Sequence, residues 1–272
     1  MNRLVTILLT CVAALLPGFM LMSSAKSSSM TTPHRPGKTE AQEQHHYKIV
    51  NGDTIYLEVD PEQRHGRLSE DDYREVAQEL GVEVAAIKAV VDIEAGRSHE
   101  GFWAEGKPLI NFDLAMFRRF AAKNRVNLGK YAYSHAVVFA RPNVRRYGSQ
   151  QAGQQARLDA ARSIHNLSAI QGTFWGMFQI GGFNWQRCGT SSPDEFVTLM
   201  SRSERDQLEL FANFIRNSGL LPHLRNKNWS AFANGYNGSS YAARGYHTRL
   251  ASSYAKHKRS EPATPVHSSI QN

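Results

Sequence analysis

The sequence predicts a mainly α-helical domain over residues 67–258, and three observations carry that expectation. Capping signals recur ahead of amphipathic stretches throughout this span. Strand signal is weak outside an early hairpin and Leu109 to Phe112. Hydrophobic residues make up 41% and charged residues 21% of the 272, an ordinary globular balance that rules out wholesale disorder and collagen-like repetition.

Residues 1–25 carry one charge, Arg3, before an apolar run from Leu4 to Met22 and the small residues Ser23-Ser24-Ala25. This pattern reads as a secretory signal peptide; an uncleaved membrane anchor is the other reading. Cleavage removes Arg3, taking the formal net charge from +8 to +7, and removes Cys11, leaving Cys188 as the single cysteine. A disulfide framework and a cysteine-based zinc cluster are both excluded. Residues 26–66 read as a polar linker that ends in a short β-hairpin, with Asn51-Gly52 between two β-favouring runs. A lone hairpin is marginal, so it is expected to pack on the domain that follows. Residues 259–272 read as a flexible tail.

Within the domain, Ser69 and Asp72 form a capping-box start and Gly81 a stop. A second helix runs from about Glu83 to Ala95 and stops at Gly96. Ser192-Pro193-Asp194-Glu195 opens a further helix. Ser203 to Asn217 is amphipathic through Leu208, Phe211, Phe214 and Ile215. Trp229 to Tyr236 and Thr248 to His257 complete the set.

One carboxylate lies where a solvated side chain has no reason to be. Val84, Ile87, Val90 and Val91 share a face of the second helix, and the same spacing puts Glu94 on that face in the last turn. Desolvation and the negative end of the helix dipole both favour its neutral acid, the form that can donate a proton to a leaving oxygen. The plain alternative is a Glu that reaches out to water where the helix frays. Asp92 points to the other side and is a poor partner.

Three ordered segments point to a family. They are Val84-Ala-Ala-Ile-Lys-Ala-Val-Val-Asp-Ile-Glu94, Trp175-Gly-Met-Phe-Gln-Ile-Gly-Gly-Phe-Asn-Trp-Gln-Arg-Cys-Gly189, and Phe232-Ala-Asn-Gly-Tyr-Asn-Gly238. Their order and spacing resemble the lysozyme-like superfamily in its goose-type and lytic-transglycosylase branch, and most closely the phage-type N-acetylmuramidase (endolysin muramidase) domain. The resemblance covers residues 67–258. It implies an α-rich lysozyme-like single domain with a cleft between helices, and hydrolysis of the β-1,4 bond between N-acetylmuramic acid and N-acetylglucosamine, with Glu94 as the general acid. It also implies sugar contacts from Gln179, Tyr236 and Asn237, with Tyr236 either bridging Glu94 or lining the sugar site. Trp175 and Phe178 would supply flat surfaces for sugar faces, and core packing is the competing reading for such aromatics. Tyr147-Gly148 matches a Tyr-Gly pair of the family.

The sequence departs from the family at the second acid. The family's Glu is Asp113, one methylene shorter, and the His two positions on is Ala115. An inverting glycosidase holds a water on its second carboxylate; Asp113 has reduced reach for it, and capping a loop is the competing role. Asn124 to Gln155, with Arg141, Arg145 and Arg146, is diverged and is expected to form a cleft wall or lid.

The implied partner is the peptidoglycan glycan strand, in the periplasm of a Gram-negative bacterium, outside the cell, or as a phage lysin using host export. A monomer is expected, touching the membrane only through an uncleaved N-terminal segment. No cofactor and no metal are expected, because the 11 histidines form no spaced ligand set. Within enzymes the runner-up is a lytic transglycosylase, which needs one acid/base carboxylate and yields 1,6-anhydro-muramic ends. Outside enzymes it is a non-catalytic wall-binding module. Nucleic-acid binding is suggested by the charge surplus alone and lacks any matching motif.

Overall fold

The computed structural model describes residues 46–50, 53–57, 66–96, 99–140 and 151–261. The signal segment, most of the linker, Tyr147, the basic run 141–146 and residues 262–272 lie outside them. The hairpin's strands are β1 (His46–Val50) and β2 (Asp53–Leu57), antiparallel with Val50 opposite Asp53; its Asn51-Gly52 turn is outside the described residues.

The domain begins as its caps dictate. In α1 (Glu70–Leu80), the Ser69 side chain accepts from Asp72 N while Asp72 bonds back to the Ser69 backbone, and Gly81 closes the helix at φ 61°. α2 (Val84–Glu94) follows, with Ala85, Ile87 and Ala89 wholly buried. Ala95 caps it, and Gly96 then turns the chain at φ 71°. A short hairpin, β3 (Phe102–Ala104) and β4 (Lys107–Pro108), leads to β5 (Ile110–Phe112) and α3 (Leu114–Lys123). The segment expected as a wall or lid holds a 3-10 turn at Leu128–Tyr131 and the single-turn α4 (Ala136–Phe139).

α5 (Gln151–Gln171), which the sequence reading did not mark, breaks at His165, where φ/ψ of −160°/104° leave the helical region. The His165 ring accepts from Ser168 N at 3.2 Å, so it restarts the second segment as a cap would. Next come β6 (Thr173–Trp175) and β7 (Ile180–Gly181), which join β5 in a three-stranded antiparallel sheet ordered β5-β6-β7. The remaining helices are α6 (Pro193–Met200), α7 (Glu204–Asn217), α8 (Leu221–Arg225), α9 (Trp229–Asn237) and α10 (Tyr246–Ser260). α10 runs past the point where the tail is expected to begin.

The core centres on α7. Leu208, Phe211 and Ile215 are fully buried, and Phe211 stacks on Phe178 at 4.3 Å between ring centres. α7 also supplies polar clamps. Buried Glu204 accepts from Gly101 N at 2.6 Å and Leu68 N at 2.8 Å. Fully buried Gln207 accepts from Met177 N at 2.8 Å and donates to Met200 O at 2.8 Å and Gly101 O at 3.2 Å. A Cβ on Gly101 would sit 2.4 Å from the Gln207 carbonyl oxygen, and one on Gly176 2.7 Å from it, so only glycine lets both chains come this close. Two loops and the end of α6 thus share one amide.

Gln207→Leu keeps the volume but strands three buried backbone groups. It is expected to lower unfolding free energy by at least about 3 kcal/mol. Urea denaturation measures this, and a loss below about 1 kcal/mol would show that water or rearrangement replaces the amide.

Candidate active site

Glu94 is the last residue of α2, on the face whose Ile87, Val90 and Val91 are at most 3% exposed. The helix therefore turns a carboxyl group toward the domain, where it is partly buried, rather than out into open water. α9 meets it from the other side: buried Asn237 donates its Nδ2 to Glu94 Oε1 at 2.8 Å. Burial pushes the Glu94 acid up from 4.5 to about 7. The Asn237 hydrogen bond and the charge of Arg249 on α10 pull it down, and both are outweighed by the loss of water.

The residue before Asn237 does a different job. The Tyr236 hydroxyl donates to the Phe178 carbonyl oxygen at 2.6 Å, so its single proton does not go to Glu94. Its ring is held by Phe232 and Phe214. Two consecutive residues in the last turn of α9 thereby tie the acid and the Gly176 to Gln179 loop to one helix.

That loop joins β6 to β7. Gly176 has φ 69° and Gln179 φ 46°, a left-handed conformation rare for a residue with a side chain. The Gln179 amide donates to Gly176 O at 2.9 Å, and the half-buried side chain lies across its own turn. The strain is sustained because Gln207 holds Met177 and Tyr236 holds Phe178 on either side.

Two expectations are corrected by burial. Trp175 is 2% exposed, donates to Ile170 O at 3.2 Å and meets Phe196 edge-on. Phe178 is 0% exposed and stacked on Phe211. Neither ring has a face open to a sugar; both form the floor under the loop. Asp113 sits at the N-terminus of α3, where its Oδ1 accepts from Ala115 N at 2.8 Å and Met116 N at 3.0 Å. The capping alternative is thus realised in the structure. Tyr147 lies outside the described residues.

Sequence reasoning missed two contributors. Arg249 acts on Glu94 from α10, but no pattern in the chain marks it out. Asp92, set aside as facing away, docks that same helix: its Oδ2 accepts from Ser253 Oγ and lies 2.9 Å from His257 Nε2, and its Oδ1 lies 3.2 Å from His99 Nε2. Among the described residues no cluster of His, Cys, Asp and Glu is arranged to hold a metal ion. No described helix is long and apolar enough to cross a membrane.

The raised Glu94 acid costs stability at high pH. The folded state holds this proton more tightly than the unfolded chain, so stability falls as pH rises from about 4.5 to about 7. Glu94→Gln removes that titration. It is expected to match the wild type near pH 4 and exceed it above pH 7 by about 1–3 kcal/mol, read from Tm against pH.

The geometry agrees with what comparison finds. The N-acetylmuramidase family model matches residues 83–258, more than half of the chain, from the N-cap of α2 almost to the end of α10. The crystal structure of a Burkholderia AP3 phage endolysin is similar to this chain at 34% identity and a TM-score of 0.58, covering 74% of this chain and 73% of the endolysin. A search of curated proteins returns no match. The chain belongs to the N-acetylmuramidase family, with a mostly helical, lysozyme-like fold.

Proposed function

We propose that the protein is a peptidoglycan hydrolase that cleaves the β-1,4 bond between N-acetylmuramic acid and N-acetylglucosamine, with Glu94 as general acid. The observation that carries this is a carboxyl group held protonated near neutral pH at a helix end, with one oxygen fixed by Asn237. Glycoside cleavage needs such an acid to protonate the leaving oxygen. Asn237 orients the carboxyl group, and Tyr236, its neighbour in α9, holds the loop that carries Gln179. The peptidoglycan glycan strand is the partner, met by a monomer after export through residues 1–25. The basic surplus suits an anionic wall.

A second reading is favoured by one observation. Asp113 Oδ1 already accepts two backbone N–H groups, which suits a cap better than the holder of an attacking water. A lytic transglycosylase needs no such water: the same Glu94 would protonate the leaving oxygen as its bond to C1 breaks, and its carboxylate would then take the proton of the muramic 6-hydroxyl as that oxygen bonds to C1. Mass spectrometry of the products separates the two. Reducing muramic ends support hydrolysis, and 1,6-anhydro ends support the transglycosylase.

Glu94→Gln is expected to lower turnover on purified peptidoglycan by about 10²–10⁴-fold. Persistent clearing by this variant in a zymogram contradicts Glu94 as the acid. Asn237→Leu keeps the cover over Glu94 but removes a bond that favours the carboxylate, so the alkaline limb of the pH–rate profile is expected to move to higher pH. An unchanged limb means that the titration seen in the rate is not that of Glu94.

A further inference from the structure

Beside Glu94 the seam between α2 and α10 opens into a groove. It is lined by Asp92 and Ile93 from α2 and by Thr248, Arg249, Ser252 and Lys256 from α10. Ile93 adjoins Glu94 in the chain, and Arg249 is near enough for its charge to favour the Glu94 carboxylate, so one end of the groove lies near the acid. Its charge is out of balance. The one acid, Asp92, is engaged by Ser253, His257 and His99. Elsewhere on α10, Lys258 pairs with Glu83 and Glu261, whereas neither Arg249 nor Lys256 forms an ion pair among the described residues. Arg249 is steadied by the Tyr246 ring, 5.4 Å from its guanidinium.

The two cations are seven residues apart, two turns along one side of α10 and about 10.5 Å along its axis. That spacing matches about three residues of extended peptide at roughly 3.3 Å each. A neutral sugar offers two cations hydrogen-bond acceptors but no opposite charge; the anionic part of an intact peptidoglycan strand is the short, carboxylate-bearing peptide on its N-acetylmuramic acid.

We propose that this groove is a subsite for the peptide stem of the substrate, with Arg249 and Lys256 receiving its carboxylates. It rests on the reading of Glu94 as the acid that cleaves the glycan. The exposed Thr248 and Ser252 hydroxyls flank the path and can bond to the peptide backbone. The groove is open to solvent, as a site for a peptide carried by a long polymer requires.

The test compares kcat/KM on intact glycan strands and on the same strands stripped of peptide by an amidase. The wild type is expected to prefer the stem-bearing strand. Lys256→Gln, on an exposed side chain, is expected to reduce the preference by about three- to fivefold, mainly through KM, the worth of one solvent-exposed ion pair. Lys256→Arg is expected to restore it. Cleavage of both strands at a ratio that Lys256→Gln leaves unchanged overturns the subsite alone. The same holds if that variant loses only its affinity for lipopolysaccharide vesicles, which assigns the groove to lipid phosphates. Cleavage of neither strand by the wild type overturns the proposed reaction and the subsite with it.

Discussion

A carboxyl group at the inner end of a helix is the constraint on which the rest of this domain depends. Glu94 keeps its proton near neutral pH only while its carboxyl group stays largely shielded from water, and no single element supplies that shielding alone. α2 aims the side chain inward, α9 covers it with Asn237, and α10 lies across α2. That last packing is antiparallel and pinned at both ends. Near the acid, Asp92 takes Ser253 and His257; at the far end, Glu83 takes Lys227, Lys258 and the Tyr254 hydroxyl. The exposed pairs in this set are worth little singly. Their value is in register, because a shift of α10 would move Arg249 relative to Glu94.

Polar side chains reaching from a rigid helix do most of the remaining positioning. Glu204 and Gln207 hold the chain after α2 and the loop between β6 and β7 to α7. Tyr236 holds the same loop to α9. Each bond ends on a backbone atom, and with glycine at 176 leaving room for Gln207 the left-handed Gln179 is carried by its neighbours rather than by its own preference. A strained loop and a raised acid tied to the same helix end form the arrangement expected where a domain gives up local stability to prepare a site.

Much of this was legible in the chain because it depends on spacing. The Ser69 and Ser192 caps, the amphipathic stretch from Ser203 to Asn217, the buried stripe of α2 and the inward turn of Glu94 follow from helical periodicity and local hydrogen bonding, and the structure repeats them nearly residue for residue. Tertiary partners were not legible. Asp92 faces away from Glu94 as its position dictates, yet what it faces is a helix some 160 residues on. The role of Gln207 depends on two loops and the end of α6 brought together by the fold. Trp175 and Phe178 show the limit most plainly: an aromatic beside a glycine reads the same whether it carries a sugar or a core, and only burial separates the two. Asp113 carries the same ambiguity between a cap and a catalytic base.

The ionisation of Glu94 itself is the most direct test of this account. Carbon-13 NMR of the glutamate side-chain carboxyls, recorded against pH and assigned by subtraction of the Glu94→Gln spectrum, reads it without reference to any substrate. A midpoint near 7 is the predicted result. A midpoint near 4.5, the ordinary glutamate value, would mean that water reaches the carboxylate and that the enclosure built by α9 and α10 does not make it an acid.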